Sequence, residues 1–508
     1  MISRIITVAF QGIEGIPVEV QVMVSPGRIG IQIVGLPDKA VTESRERIQA
    51  ALYACGLALP NKKIIINLAP ADLPKEGSHF DLPIILAIMS SIKAINAESL
   101  SNYLAVGEIN LDGSLAAING VLPAAICAKN LNKDLICPKT CGAEAALVAE
   151  DLNIVAPANL LELTNHLNKK RILTKPIRLQ YKERDNLPNI AEIKGQKTVK
   201  RALEVAAAGG HNLLMIGPPG SGKSMLASCL PSILPPLSLK ESIEISMIYS
   251  ISGKLNHESS FLQDRPFRTP HHSATTAALV GGGTKALPGE ASLAHNGVLF
   301  LDELPEFSPH TLNALRQPLE TGECIISRAN RKIIYPARIQ LIAAMNPCRC
   351  GITRKDENIC IRGPSCAIEY RSRISAPLMD RIDIHIEVPA VPATDLFLPN
   401  KSESSATVAS RVLAARTKQK DRFDKMGVSA PCNAVCSPAL IEQIAILDSE
   451  STSILKQYAQ KITVSARGYH KILKIARTIA DLDSSEKIRK IHIAEALAYR
   501  KKSIYDIR

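Results

Sequence analysis

The residues with the clearest chemical meaning lie in one glycine-rich loop. The loop follows an apolar run and precedes a helical pattern, and it fits G-x-x-x-x-G-K-[ST] with Gly217, Pro218, Pro219, Gly220, Ser221, Gly222, Lys223 and Ser224. Glycines let backbone N–H groups turn inward around phosphates, and the N-terminus of the following helix adds positive potential. The pattern predicts that Lys223 reaches the β- and γ-phosphates of a nucleotide and that Ser224 ligates Mg²⁺.

Two adjacent carboxylates supply the second half of this chemistry. Asp302 and Glu303 follow the apolar run 298–301, which indicates a buried strand that delivers them to its end. Carboxylates at such a place are costly unless they have a task. We expect Asp302 to hold Mg²⁺ through water and Glu303 to orient and polarise the attacking water. The two motifs together predict nucleotide hydrolysis.

Three polar residues further along the chain are candidates for reading the γ-phosphate. Asn346 ends another apolar run and would hydrogen-bond the attacking water or the γ-phosphate. Arg381 lies between helical and strand-like stretches, where it would stabilise transition-state charge in a neighbouring subunit. The alternative for Arg381 is an ordinary ion pair with Asp380 or Asp383. Arg467, at the head of an amphipathic helical pattern, is a second candidate phosphate sensor.

A cluster of cysteines follows Asn346 directly. Its spacing is C-x-C-x₉-C-x₅-C, and its members are Cys348, Cys350, Cys360 and Cys366. Four thiolates suit tetrahedral Zn²⁺, and a closed Cys₄ site is structural rather than catalytic. The alternative is four free cysteines in one loop. A further pair, Cys432 and Cys436, has no other ligand type nearby and is interpreted as structural.

The elements that must position these residues divide the chain into four segments. Residues 1–165 mix strand and helix patterns, and residues 166–190 form a charged linker with two prolines. Residues 191–395 alternate strand and helix signals, which predicts a parallel sheet covered by helices, and residues 396–508 are helical in pattern. Within the third segment, residues 346–367 form the predicted zinc-binding insertion.

Composition narrows the classes of partner. The net charge of +13 favours a polyanion, although general solubility is the alternative reading. Aromatic residues make up 4% and tryptophan is absent, so base stacking is not expected to dominate nucleic-acid binding. The chain has no apolar run of about 18 residues and no signal-peptide pattern, so we expect no membrane span. Twelve scattered cysteines favour a reducing cytoplasm.

The order of the motifs resembles a known family. The phosphate loop, "LFLDE", "MNP", "LMDRID" and "SARGYHKILKIARTIADL" occur as in AAA+ ATPases of the magnesium-chelatase and MCM-helicase branch. "FRTPHHSATTAALVGGG" and "PGEASLAHNGVLFLDELPEF" look like the ComM/YifB family, over essentially the whole chain. The resemblance implies an α/β AAA+ P-loop domain with a helical lid. In it Asn346 matches sensor 1, Arg381 the arginine finger and Arg467 the sensor-2 arginine, and residues 265–290 match an insertion near helix 2.

The same resemblance implies a function. It predicts a cytoplasmic homo-hexameric DNA motor with ATP, Mg²⁺ and Zn²⁺ as cofactors, which would act as a branch-migration helicase on single-stranded, double-stranded and branched DNA in natural transformation. Residues 322–344 read as a hairpin, and in related helicases this hairpin touches the DNA backbone. Arg328, Arg331 and Lys332 match that place, although a solvated basic hairpin is the alternative. A chelatase-like metal-insertion motor and a protein-remodelling factor are the competing functions.

The N-terminal segment resembles a different family. "PKEGSHFDLPI" and "AVGEINLDGSLAAINGVLPAAICAKN" look like the proteolytic domain of Lon, which uses a Ser–Lys dyad. His79 stands at the nucleophile position, with Ser78 beside it, and Leu122 stands at the lysine position. A hydroxyl without an amine base is a poor nucleophile. We therefore expect residues 1–165 to form an α+β Lon-like domain without protease activity, which serves oligomer contacts or guides DNA.

Overall fold

The computed structural model describes most of the chain. The described residues are 2–148, 151–177, 187–255, 262–284, 286–328, 331–350, 364–391, 403–428, 430–461 and 465–500. They fall into two compact units, each assembled from separate stretches of the chain. The first comprises Met1–Glu183, Leu239–Leu262 and Ser327–Tyr335, and the second comprises Arg184–Ser238, Gln263–Ile326 and Pro336–Arg508. Within the described residues, none of the helices has the length and apolar character needed to cross a lipid bilayer.

The N-terminal residues form a mixed sheet with helices. The strands are β1 (Ile2–Gln11), β2 (Glu14–Ser25), β3 (Gly30–Val34), β4 (Lys63–Ala69), β5 (Tyr103–Ala105), β6 (Glu108–Ile109), β7 (Leu115–Ala116), β8 (Asp134–Ile136) and β9 (Ile154–Val155). The helices are α1 (Lys39–Ala54), α2 (Asp81–Ser91), α3 (Ala97–Leu100), α4 (Val121–Asn130), α5 (Gly142–Ala145) and α6 (Leu160–Leu167).

Alternating side chains explain the main sheet of the first unit. Its described strands run in the order β3-β4-β2-β1-β5-β8-β9, with β1–β2 and β2–β4 antiparallel and the other pairs parallel. Val18, Val20 and Val22 of β2 are fully buried, because successive strand residues point to opposite faces of the sheet. The helix α2 is buried along almost its whole length, which gives this unit a core of its own.

The residues at the Lon dyad positions have structural partners. Burial lowers the pKa of His79 to about 4, and its Nε2 lies 2.8 Å from the carbonyl oxygen of Val8. The neighbouring Ser78 hydroxyl donates to the carboxylate of Glu108. Leu122 is fully buried in α4. His79 is therefore neutral at neutral pH and held by the backbone of β1.

The central part of the chain forms the second sheet. Its helices are α7 (Lys197–Gly209), α8 (Lys223–Ser228), α9 (Leu239–Ile251), α10 (Thr276–Val280), α11 (Glu290–Leu293), α12 (Pro309–Ala314), α13 (Arg316–Thr321), α14 (Pro364–Ser372) and α15 (Ala376–Met379). Its strands are β10 (Leu213–Ile216), β11 (Phe267–Arg268), β12 (Val298–Leu301), β13 (Glu323–Arg328), β14 (Arg331–Pro336), β15 (Gln340–Met345) and β16 (Ile384–Glu387). The described sheet has the all-parallel order β11-β12-β15-β10-β16, and β13 pairs with β14.

One helix from this stretch belongs to the first unit. The segment Leu239–Leu262, with α9, groups with the N-terminal residues, whereas residues 265–290 stay with the second unit. The Ser250 hydroxyl of α9 donates to the Glu144 carboxylate over 2.6 Å, and the backbone N–H of Leu122 donates to the same oxygen over 3.2 Å. Such buried hydrogen bonds to a carboxylate anchor the segment.

The C-terminal residues form the predicted helical region. Its helices are α16 (Ser405–Lys425), α17 (Pro438–Ile444), α18 (Ser449–Lys461), α19 (Ala466–Leu482) and α20 (Lys490–Ala498). The amphipathic pattern that Arg467 heads is present in α19, where Ile472, Leu473, Ala476 and Ile479 are buried. They belong to the same hydrophobic core as Leu213 of β10, so the lid and the parallel sheet of the second unit share one core. The α/β fold class predicted from the sequence is confirmed.

A buried ionic contact joins α19 to the segment before β16. The Lys471 ammonium lies 3.2 Å from the Asp383 carboxylate, and His211 Nδ1 lies 3.4 Å from the other oxygen. Burial by itself would raise the pKa of Asp383. The His211 ring and the Lys471 charge outweigh burial and hold that pKa well below its ordinary value. The carboxylate therefore stays ionised in the folded protein at neutral pH.

Replacing Asp383 should weaken the second unit and flatten its acid sensitivity. A lowered folded pKa adds stability that is complete above the unfolded value of about 4 and is lost as the pH falls below it. Asp383→Asn also leaves Lys471 buried without its counter-charge, which should cost about 3–5 kcal/mol. Thermal unfolding followed by circular dichroism between pH 7 and pH 3 measures both effects. The exposed Asp421→Asn is the control, and equal unfolding temperatures for the two variants would refute the role of Asp383.

Candidate functional site

Three neighbouring parallel strands bring the predicted nucleotide residues together. The strand β15 lies between β12 and β10, with Leu301 opposite Ala343 and Ile216 opposite Met345. Parallel strands in register end at one edge of the sheet, and in open α/β sheets that edge is where ligands bind. The phosphate loop after β10, the carboxylates after β12 and Asn346 after β15 therefore meet at one place.

Backbone geometry explains three glycines of the phosphate loop. Gly220 and Gly222 have φ angles of +74° and +85°, which residues with a Cβ adopt only under strain. A Cβ built on either would meet nothing within 4 Å, so conformation and not crowding requires glycine there. Gly217 is different, because a Cβ there would collide with the carbonyl oxygen of Val388 after β16.

Lys223 is held at the centre of the loop. Its Nζ donates to the carbonyl oxygens of Gly217 and Pro218, each over 2.9 Å, and to Asn346 Oδ1 over 3.2 Å. The residue is 8% exposed, and burial lowers the pKa of its ammonium group. The contact with Asn346 joins the first and third motifs directly. An ammonium held by neutral acceptors can exchange them for phosphate oxygens.

The hydroxyl and carboxylate groups beside the loop fit a magnesium ion. Ser224 Oγ donates to Asp302 Oδ2 over 2.6 Å, and the backbone N–H of Glu303 donates to Asp302 Oδ1 over 2.9 Å. Mg²⁺ binds such oxygen ligands, usually together with waters and substrate phosphates. The two residues adjoin without an intervening side chain, so this donor set suits the ion.

Glu303 has a strained backbone and a neighbour that the sequence did not reveal. Its φ and ψ angles are 50° and 46°, in the left-handed region that costs a non-glycine residue about 1–2 kcal/mol. Its Oε2 lies 3.7 Å from Nδ1 of His272, whose ring packs against His271 at a centroid distance of 4.1 Å. The proximity of His272 to the predicted water-orienting carboxylate follows from the parallel pairing of β11 with β12, which brings the residues after both strands to one edge of the sheet.

The two predicted arginines share one carboxylate. Arg381 Nη2 lies 2.8 Å from Glu320 Oε2, and Arg467 Nη2 lies 3.7 Å from Glu320 Oε1. Arg381 therefore pairs with Glu320, and not with Asp380 or Asp383, which the sequence suggested as its partners. Glu320 is more than 60 residues earlier in the chain than Arg381, so local spacing could not identify it.

The cysteine cluster is described only in part. Cys348 is buried, and its Sγ lies 3.1 Å from that of the half-buried Cys350. Cys366 is in α14, and Cys360 lies outside the described residues. Among the side chains that the structure describes, no group of three or more His, Cys, Asp or Glu residues is placed to hold a metal ion. Burial raises the pKa of nearby Tyr370 to about 12, with Glu306, Glu303 and Cys348 adding to the shift.

The predicted basic hairpin is present in the fold. The strands β13 and β14 pair with each other, and Arg328 and Arg331 stand at the ends that face the turn. Lys332 is exposed. Residues 329 and 330, and the side chains of Arg328 and Arg331, lie outside the described part of the chain.

Models of one protein family match three stretches of the chain. Residues 189–396 match "Magnesium chelatase, subunit ChlI", residues 20–141 match "Subunit ChlI of Mg-chelatase", and residues 402–500 match "Magnesium chelatase, subunit ChlI C-terminal". The first stretch holds the parallel sheet and the phosphate loop, and the third holds the C-terminal helices. These matches support the AAA+ P-loop fold, with ATP and Mg²⁺ as its ligands.

Curated relatives extend over nearly the whole chain. "Competence protein ComM" of Haemophilus influenzae is 43% identical over 500 residues, which cover 97% of this chain and 96% of the relative. "Uncharacterized protein YifB" of Escherichia coli is 42% identical, with 98% and 97% covered. The "Magnesium-chelatase 38 kDa subunit" of Rhodobacter capsulatus is 28% identical over 30% of this chain and 49% of its own length. The chain belongs to the ComM/YifB family of magnesium-chelatase-like AAA+ proteins.

Proposed function

We propose that the protein is an ATP-driven DNA motor that works as a homo-hexamer and migrates branches in recombination intermediates during natural transformation. The observation that carries the ATPase part is the meeting of Lys223, Asn346, Ser224 and Asp302 at one edge of the sheet. The competence role is suggested by the name of the relative from Haemophilus influenzae. The net charge of +13 and the hairpin support DNA as the partner.

The site residues divide the work of hydrolysis. Lys223 exchanges the carbonyl oxygens of its own loop for phosphate oxygens, and Ser224 and Asp302 hold Mg²⁺. The bound ion neutralises charge that develops on the phosphate oxygens. Glu303 orients the attacking water, and Asn346 hydrogen-bonds the water or the γ-phosphate. Arg381 supplies positive charge from the neighbouring subunit, and Arg467 is a second sensor of the phosphate.

The cysteine cluster is proposed to bind zinc. Two thiolates on one tetrahedral Zn²⁺ would lie about 3.8 Å apart, given Zn–S bonds of about 2.3 Å. The Sγ atoms of Cys348 and Cys350 approach to 3.1 Å, so a small side-chain rotation would bring both onto one ion. Cys360 and Cys366 would complete the site. It would be structural, and it would shape the segment 346–367, which runs from the phosphate sensor into the first turn of α14.

The N-terminal segment is proposed to serve assembly or DNA guidance rather than proteolysis. His79 is neutral and bound to the β1 backbone, Ser78 donates to Glu108, and Leu122 is apolar. The proposed domain boundaries are those expected from the sequence. They are a Lon-like segment at residues 1–165, a linker at 166–190, the ATPase core at 191–395 and the lid at 396–508.

A chelatase-like metal-insertion motor is the second candidate. The three matches to magnesium-chelatase family models favour it. ATP hydrolysis measured with branched DNA, with protoporphyrin and Mg²⁺, and with unfolded protein separates the candidates. Stimulation by DNA alone supports the motor, and stimulation by the porphyrin mixture supports the chelatase.

The nucleotide site predicts a defect in ATP binding for one variant and a defect in ATP turnover for another. Lys223→Ala should abolish ATP binding, because the loop loses the cation that meets the β- and γ-phosphates. Glu303→Gln should bind ATP but lower turnover by about a hundredfold or more, because an amide is a poor base for the attacking water. Fluorescent-nucleotide titration and phosphate release measure the two steps. The exposed Lys197→Ala is the control, and near-normal turnover by Glu303→Gln would show that another group activates the water.

The cysteine proposal predicts one zinc ion per chain. Elemental analysis of protein purified without chelators should find it, and Cys350→Ser should release most of it because three thiolates hold zinc less tightly. The half-buried Cys55 of the first unit provides the control variant Cys55→Ser, which should keep the metal. Metal-free protein whose cluster thiols all react in the native state would refute the proposal.

The hairpin predicts a salt-dependent grip on DNA. Binding should be independent of sequence, because groups that bind phosphates position a duplex without reading its bases. Arg328→Ala should reduce the slope of log affinity against log salt by about 0.9 for each phosphate of duplex DNA that is no longer neutralised. It should also impair movement of a DNA junction while basal ATP hydrolysis survives. The exposed Lys39→Ala is the control. An unchanged slope with normal junction movement would place the DNA grip elsewhere.

A further inference from the structure

Glu320 gathers the two functional arginines onto one carboxylate. It lies near the end of α13, its side chain is 55% exposed, and each of its oxygens faces a different arginine, Arg381 at 2.8 Å and Arg467 at 3.7 Å. The hydrogen bond from Arg381, followed by the charges of Arg381 and Arg467, lowers the pKa of Glu320. Two guanidinium groups that converge on one carboxylate have the arrangement in which they would converge on one phosphate. The carboxylate thus occupies the place of an anion between them.

The backbone that carries Arg381 is fixed independently of Glu320. Lys471 of α19 donates to the carbonyl oxygens of Asp380 and, over 3.1 Å, of Ile382, and it pairs with Asp383. The carbonyl oxygen of Arg381 itself accepts a hydrogen bond from Asn212 over 2.8 Å. These contacts tie the segment to the lid and to the start of β10. Loss of Glu320 would therefore leave the guanidinium group held only by the carbonyl oxygen of Pro377, to which it donates over 3.3 Å, and would keep the segment in place.

The contact at the tip of Arg381 is easy to exchange. Ion pairs with an exposed partner contribute little to stability, because water and salt screen them and two long side chains must be ordered. Both side chains of the Lys471–Asp383 pair are about one-eighth exposed. Arg381 is equally buried, but the side chain of its partner Glu320 is more than half exposed. A phosphate group of higher charge can thus displace Glu320 without disturbing the buried contacts behind it.

Glu320 also stands next to the basic hairpin. The helix α13 ends at Thr321, Gly322 follows with φ of +73°, and β13 begins at Glu323. The Thr321 hydroxyl donates to the carbonyl oxygen of Glu323 over 3.3 Å, which closes the turn between helix and strand. A ligand that shifts the base of the hairpin can therefore act on the end of α13 through this turn.

We propose that Glu320 is a positioning residue that holds Arg381 and Arg467 in a resting arrangement and gives them up to the γ-phosphate bound by the neighbouring subunit. The proposal rests on the function proposed above. A group that pairs with the arginines only in the resting arrangement stabilises that arrangement and opposes engagement. DNA bound at the hairpin would move α13 and so favour the release of both arginines.

Glu320→Gln tests this directly, because it removes the charge and keeps the size of the side chain. We expect basal ATP turnover to rise about fivefold with little change in the KM for ATP, and the stimulation by DNA to shrink by a similar factor. Glu323→Gln, an exposed glutamate three residues away, is the matched control and should behave like the wild type. An unchanged or lower basal turnover of Glu320→Gln, with an unchanged unfolding temperature, would overturn the proposal.

A second comparison tests whether the effect passes through the arginine finger. The double variant Arg381→Ala/Glu320→Gln should hydrolyse ATP no faster than Arg381→Ala alone, because no arginine finger remains to be released. A double variant that still shows the rise would mean that Glu320 acts elsewhere and would overturn the proposal. If the wild type hydrolyses ATP but DNA never stimulates it, the DNA-motor function fails. The basal rise of Glu320→Gln and its loss in the double variant then still decide the role of Glu320.

Discussion

The geometry of the nucleotide site depends on the parallel pairing of β10 with β15, which brings Lys223 into contact with Asn346. The two residues are 123 positions apart in the chain, yet the pairing brings Nζ and Oδ1 to 3.2 Å. The burial pattern shows why the pairing is secure, since every residue of β10, β12 and β15 is buried. Strands buried on both faces belong to parallel sheets covered by helices. A shift of one residue in either strand would turn a polar terminal residue into the core, so the hydrophobic pattern also sets the register.

The parts of the site that could be predicted from the sequence are those coded over a few residues. The phosphate loop needs only its glycines, the lysine and the flanking strand and helix, and the hairpin β13–β14 follows from two short apolar runs around a basic turn. The amphipathic pattern of α19 is likewise local, and Ile472, Leu473, Ala476 and Ile479 of this helix are buried. In each case the signal lies within one or two adjacent elements of the chain, so it can be recognised without the tertiary structure.

The residues that escaped prediction act over long distances. Glu320 and His272 are ordinary polar residues in their local segments, and only the folded chain places them beside Arg381 and Glu303. The helix α9 is a further case, because nothing in its own sequence shows that Ser250 will meet the carboxylate of Glu144, 106 residues earlier. Local patterns indicate which residues have a reactive type, but the partner of an ion pair is chosen by the packing of distant elements.

The functional groups of the second unit have a common arrangement. Lys223 donates hydrogen bonds to carbonyl oxygens of its own loop, Ser224 donates to Asp302, and the arginine pair contacts Glu320. Each of these groups therefore has an internal partner before a ligand binds. Binding at such a site exchanges one set of hydrogen bonds for another, and the net gain is the difference between them. A lysine that had no internal acceptors would bind phosphate more tightly, but it would also be a buried, unpaired charge that destabilises the empty fold. Internal partners that are weaker than the ligand therefore let the empty site remain folded and still favour the nucleotide when it is present. Under the role proposed for Glu320, the same reasoning explains why an exposed, weakly held carboxylate pairs with the arginines: repeated cycles of hydrolysis would require their engagement to be reversible.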